Sequence, residues 1–182
     1  MGRALRCMIL LNASPDQPTS RNMMNTPSPP TDAQPRLGWR ERIALPDLGL
    51  AGITCKVDTG ARTCALHAFY VEPFTRDGQP WVRFGVHPLR RRRDVVVDCQ
   101  APVADRRVVT DSGGHRQQRY VIRTPIIIGE RTHAVEITLT NRDTMSFRML
   151  LGRNALQCAA YLVDSTASWL AGEPRAGADR TP

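Results

Sequence analysis

Lysine is almost missing from this 182-residue chain: of its 25 basic residues, all but Lys56 are arginine. Aromatic residues are scarce too, at 5% against 41% hydrophobic residues in all, so any core must rest on Val, Ile, Leu, Ala and Met. No apolar run approaches the roughly 20 residues that a membrane-crossing helix needs. The segment Cys7-Met8-Ile9-Leu10-Leu11 is short even for a signal-peptide core, and Asn12-Ala13-Ser14 after it is a poor cleavage signal. It reads as tail, or as sequence ahead of a true start at Met23 or Met24. The five cysteines (Cys7, Cys55, Cys64, Cys99, Cys158) are odd in number, scattered and without CxxC spacing. That argues against a disulfide framework and a thiolate metal site, and for a reduced, cytoplasmic protein. His67, His87, His115 and His133 lie far apart with no HExxH, and no GxxxxGK loop is present. Neither a metal nor a nucleotide cofactor is expected.

What is present is positive charge, +8 in net. Codon bias is a sufficient source for so much arginine, but a basic surface still favours acidic partners. Arg90 to Arg93 form a four-residue run that reads either as a solvated loop or as an attractor of such a partner. No aromatic residues interleave with it, so nucleic-acid binding is not expected.

Residues 1–36 hold six of the fourteen prolines and many Ser, Thr and Asn, and they read as a disordered tail. Residues 171–182 read the same way, leaving a domain over 37–170. Within it the pattern is short strands divided by turns. Strands are expected at Arg40–Leu45, Ile53–Val57, Trp81–Val86, Asp94–Asp98, Arg107–Thr110, Arg119–Arg123, Ile126–Ile128, Ala134–Thr140, Met149–Leu151 and Tyr161–Val163. Gly113-Gly114 marks a hairpin, and Asn154–Ala160 is the one helix expected. The reading is an all-β chain closing into a barrel or folded sandwich.

An apolar strand runs into Asp58-Thr59-Gly60. A lone Asp-Thr-Gly is most simply a solvated turn. As chemistry, hydrolysis by paired carboxylates needs two Asp groups close enough to share one proton. One acts as base on water and its protonated partner donates to the scissile carbonyl. Thr59 is expected to fix the turn through its hydroxyl, and Gly60 to permit close backbone approach.

The stretch Ile53-Thr54-Cys55-Lys56-Val57-Asp58-Thr59-Gly60-Ala61 resembles the active-site segment of retropepsins. Leu150-Leu151-Gly152-Arg153-Asn154-Ala155-Leu156 resembles their second signature, and the Gly113-Gly114 hairpin stands where a flap would. The resemblance covers about residues 40–165. It is closer still, through Trp39-Arg40-Glu41, Lys56 to Thr63, Leu66-His67-Ala68, Asp105 to Val108, Asn141 to Met145 and Leu150 to Arg153, to a bacterial branch often labelled "ATP-dependent zinc protease". Some members of that branch are associated with a ligase that adds glutamates to a ribosomal protein. Cys64 replaces a usual Ser, a small change.

The resemblance implies a retropepsin-like (acid protease) closed barrel with one short C-terminal helix. It also implies an aspartic peptidase whose dyad is Asp58 from two subunits of a homodimer. Asp58, Thr59 and Gly60 are then the catalytic turn, and Lys56, Ala61, Arg62, Gly113, Gly114 and Arg153 the substrate-binding set. The triplet Asp111-Ser112-Gly113 lies too near Asp58 to begin a second lobe. Viral retropepsins carry Asp where this chain has Arg62, so Arg153 needs another anion: Asp143, Asp164 or the substrate. Lys56 shares a strand face with Asp58. It either turns to solvent or a structural Glu, or it favours an acidic, polyglutamate-like peptide. His67 reads as structural or as a substrate neighbour. The alternative to an enzyme is a catalytically silent retropepsin-like module that binds acidic peptides or ribosomal components.

Overall fold

A computed structural model describes residues 34–89, 92–110, 113–141 and 146–175. Of the tail expected over residues 1–36, residues 1–33 lie outside the described residues, and Arg36 already belongs to the first strand. Eleven strands follow in order: β1 (Arg36–Gly38), β2 (Arg40–Leu45), β3 (Leu50–Asp58), β4 (Cys64–His67), β5 (Tyr70–Arg76), β6 (Gln79–Val86), β7 (Val97–Thr110), β8 (Arg116–Ile128), β9 (Arg131–Thr140), β10 (Met149–Gly152) and β11 (Leu162–Asp164). One helix, α1 (Arg153–Gln157), precedes β11. None of the described helices is long and apolar enough to cross a membrane.

Nine strands form one sheet in the order β2-β3-β10-β4-β9-β8-β7-β6-β5, and β2 also pairs with β8. Ile43 opposite Ile128 and Ala44 opposite Ile127 therefore close the first six strands into a ring. The ring is all-β, as its sequence leads one to expect. Period-two alternation builds it: Ile53, Cys55 and Val57 of β3 point inward, while Lys56 is exposed. The centre is aliphatic, with Ile43, Ile53, Leu66, Ile122, Ile126, Ile137 and Met149 fully buried and Phe84 the lone aromatic beside them. Each such side chain contributes about 1.5–3 kcal/mol on leaving water.

The differences from the expected elements have local causes. The segments 119–123 and 126–128 are one strand, because Pro125 falls where β8 has left β7 and not yet reached β2. A proline's missing N–H is tolerated at such a place. Val97–Thr110 is likewise one long strand, and a bend at residues 93–94 precedes it. The helix begins one residue earlier than expected and stops at Gln157, and Ala160 takes a left-handed φ of 49° as the chain turns to β11.

The ends are tied down by Glu41. Its fully buried carboxylate accepts hydrogen bonds from the backbone N–H of Gly38 (2.6 Å), Leu170 (3.0 Å) and Ala171 (3.3 Å). Arg175 N then donates to Gly129 O at 2.8 Å. Residues 171–175 thus pack on the domain, a correction to the expected tail from 171 onward. Beside them β1 and β11 pair in parallel, Leu37 opposite Val163.

Candidate active site

Asp58 ends β3, and β10 runs parallel beside it with Gly152 opposite Asp58. On its other side β10 pairs antiparallel with β4. The two sequence signatures are thereby adjacent, with β10 threaded between the strand before the Asp-Thr-Gly turn and the strand after it. Gly152 is required by this threading. A Cβ there would stand 2.5 Å from Thr63 O and 3.1 Å from Ala61 O.

The turn presents one carboxylate. Asp58 Oδ1 accepts from Gly60 N at 3.0 Å and Ala61 N at 3.2 Å, and its Oδ2 has no hydrogen bond among the described residues. A Cβ on Gly60 would come within 3.2 Å of that same Oδ1. Arg153, the first residue of α1 directly after β10, clamps the turn. Its N donates to Ala61 O (2.9 Å), Asn154 N donates to Arg62 O (3.0 Å), and Arg153 Nη1 donates to Thr59 O (2.9 Å).

Of the anions expected for Arg153, Asp164 instead accepts from Thr166 N and Oγ1, and Asp143 lies outside the described residues; Arg153 Nη1 itself meets the Thr59 carbonyl. Within the single chain the Thr59 hydroxyl makes no hydrogen bond among the described residues, and Asp58 Oδ1 and Arg153 hold the turn.

Lys56 is exposed on the face it shares with Asp58, between Arg40 of β2 and Leu150 of β10 in register. Neither Lys56 nor the exposed Arg62 has an ion-pair partner among the described residues. Gly113 and Gly114 sit at the turn of the β7–β8 ribbon, a separate element, with Gly114 at φ 83°. Asp111 and Ser112 lie outside the described residues.

His67 is 1% exposed and its N donates to Arg148 O at 2.8 Å, which makes it part of the core. Of the arginine run, Arg90 and Arg91 lie outside the described residues, and Arg92 is held by the Asp94 carboxylate at 2.6 Å. Burial pushes the Cys64 thiol up to about 11, so it stays protonated and inert. The described residues gather no three His, Cys, Asp or Glu side chains able to hold a metal ion.

Sequence reasoning missed Arg148 and Trp169. Arg148 is 6% exposed, and Arg40 lies with its guanidinium 4.8 Å from the Trp39 ring and 5.0 Å from the Trp169 ring. Strand register brings Arg148 beside Thr54, a neighbourhood that no local pattern announces.

Residues 36–174 match the family described as retropepsin-like aspartic endopeptidase RimB. A protein named probable alpha-L-glutamate ligase from Desulfotalea psychrophila is 48% identical over 120 residues, which are 66% of this chain and 26% of that protein. Another so named, from Shewanella pealeana, is 44% identical over 137 residues, 75% of this chain and 30% of that protein. The chain thus spans less than a third of the length of these curated relatives. A crystal structure of a Legionella pneumophila protein of unknown function is similar in fold, with a TM-score of 0.64 and 24% identity over 76% of this chain and 99% of that one. With its two signatures joined at Asp58 and Gly152 and its sheet closed into a ring, the chain belongs to the RimB-like family of retropepsin-like aspartic endopeptidases.

Proposed function

We propose that this chain is one subunit of a homodimeric aspartic peptidase that hydrolyses peptide bonds in glutamate-rich chains. The observation that carries the reading is the Asp58 turn. One carboxylate oxygen is locked to the amides of Gly60 and Ala61, and the other is left for a water or a second carboxylate. A single chain supplies one such group, and a two-fold pair of chains supplies two. In the pair, one ionised Asp58 takes a proton from the attacking water while its protonated partner donates to the scissile carbonyl oxygen. The tetrahedral intermediate collapses with cleavage of the C–N bond, and the leaving amine takes up a proton.

Substrate choice is argued from charge. Lys56 and Arg62 flank the turn without ion-pair partners among the described residues, so an acidic side chain of the peptide is the anion that suits them. The relatives named as glutamate ligases support this reading, since a domain of this kind forms part of polypeptides whose name concerns joining glutamate.

The test is incubation of the full chain with α-linked hexaglutamate and with a neutral peptide mixture, products being followed by mass spectrometry. Cleavage of hexaglutamate by wild type, unaffected by EDTA and lost in Asp58→Asn, is expected. Replacing Lys56 with Leu should reduce kcat/KM for hexaglutamate about tenfold, the value of one charge-assisted contact. Tight binding of hexaglutamate without cleavage by a dimeric wild type would instead support a silent binding module.

A further inference from the structure

Arg148 is a buried guanidinium that the Asp58 turn does not explain. It is 6% exposed, yet among the described residues its Nε and Nη1 have no hydrogen-bond partner. An uncompensated buried cation is costly, and native structures rarely keep one unless something else completes it. Arg148 lines a cavity of about 200 Å³ together with Arg40, Thr54, Ser146, Phe147 and Trp169. Two guanidinium groups and two hydroxyls line it, and among the described residues no carboxylate does. Arg40 is held in place between the Trp39 and Trp169 rings and by Ser168 Oγ at 3.2 Å. Trp169 takes a left-handed φ of 63°, a conformation that a bulky side chain rarely adopts.

The position of this cavity relative to Asp58 follows from strand register. Thr54, Lys56 and Asp58 occupy alternate positions of β3 and so share its outer face. Arg40 is opposite Lys56, and Arg148 directly precedes Met149, which is opposite Cys55. The cavity therefore lies about 13 Å along the strand from Asp58, at four residues of roughly 3.3 Å each. An extended peptide covers that span with about four residues.

We propose that this cavity is an anion subsite that takes the side-chain carboxylate of an acidic residue about four positions from the cleaved bond, with Arg148 and Arg40 as donors. The proposal rests on the acidic-peptide reading and adds to it a site that counts residues. Lys56 holds a nearer acidic side chain, and the Arg148 cavity holds a farther one. A substrate then needs acidic residues at spaced positions, and short glutamate chains that cannot reach the cavity are poor substrates.

The test uses the full chain carrying Asp58→Asn, so that peptide is bound and not consumed. Affinity is measured by indole fluorescence for hexaglutamate and for six peptides, each with a single Glu changed to Gln. One position distant from the Lys56-dependent one should lose about tenfold in affinity on change to Gln. That penalty should vanish when Arg148→Leu is added and persist when Lys56→Leu is added. Arg40→Gln should reduce it independently, which covers the case in which Arg148→Leu fails to fold. An undiminished Gln penalty at every position in both arginine variants overturns the proposal. Arg148-dependent binding by a wild type that cleaves nothing would refute the peptidase reading and leave this site standing. Cleavage of hexaglutamate equally well in Arg148→Leu, Arg40→Gln and wild type would do the reverse.

Discussion

Replacing Gly152 with alanine tests the geometry that joins the two signatures. The added methyl carbon would lie 2.5 Å from Thr63 O, 2.6 Å from Thr63 C and 3.1 Å from Ala61 O. All three are backbone atoms, so no side chain can swing aside. Overpacking of this kind costs about 1–3 kcal/mol. Separating the strands also loosens the Arg153 N to Ala61 O and Asn154 N to Arg62 O bonds, at about 1 kcal/mol each. The sum is about 3–5 kcal/mol. At roughly 3 °C per kcal/mol for a domain of this size, Tm should fall by about 10–15 °C. Gly49→Ala is the control. Gly49 has φ 69° and open space around its Cβ position, so only the left-handed penalty of about 1–2 kcal/mol applies. Differential scanning calorimetry on both variants decides the matter. If Gly152→Ala melts within about 2 °C of wild type, or no lower than Gly49→Ala, the threading argument is wrong.

Other consequences separate stability from activity. Arg153→Met removes the bond to Thr59 O on an exposed face. The unfolding free energy should change by no more than about 1.5 kcal/mol while hexaglutamate hydrolysis falls at least tenfold, read as Tm against kcat. Glu41→Ala orphans the amides of Gly38, Leu170 and Ala171. Denaturant unfolding should show a loss of about 3–5 kcal/mol. Burial and the nearby Arg131 cation hold the His133 imidazole below its ordinary value of 6.5. The unfolded chain therefore takes that proton first, so the contribution is whole above pH 6.5 and falls away as pH drops below it. The Tm of His133→Gln should decline less than that of wild type between pH 7.5 and pH 5.

Much of this arrangement can be read along the chain, because alternation and turn residues are local. Strands at 40–45 and 81–86 begin with buried and exposed residues taking turns and end in three buried residues each. The pair β5–β6 carried a readable signal that the strand pattern alone overlooks. Asp77 and Gly78 both take positive φ, the hairpin turn that Asp-Gly favours. Pro73 and an exposed face hide β5 itself, as they do on many edge strands. The Asp58 turn was legible through its motif and its Gly60. The Arg153 clamp was not, because backbone carbonyls leave no mark in a sequence. Arg148 was hidden for a further reason, since its neighbour Thr54 lies on a strand that only parallel pairing over a long sequence interval brings alongside.

The central claim is that one active site needs Asp58 from two copies of the chain. It is tested most directly with tandem dimers, two copies joined by a flexible linker, carrying no, one or two Asp58→Asn changes. The account predicts that hexaglutamate is cleaved by the unaltered tandem and that a single Asn abolishes cleavage as completely as two. Half the activity remaining with one Asn would mean that each chain works alone, and would contradict the shared dyad.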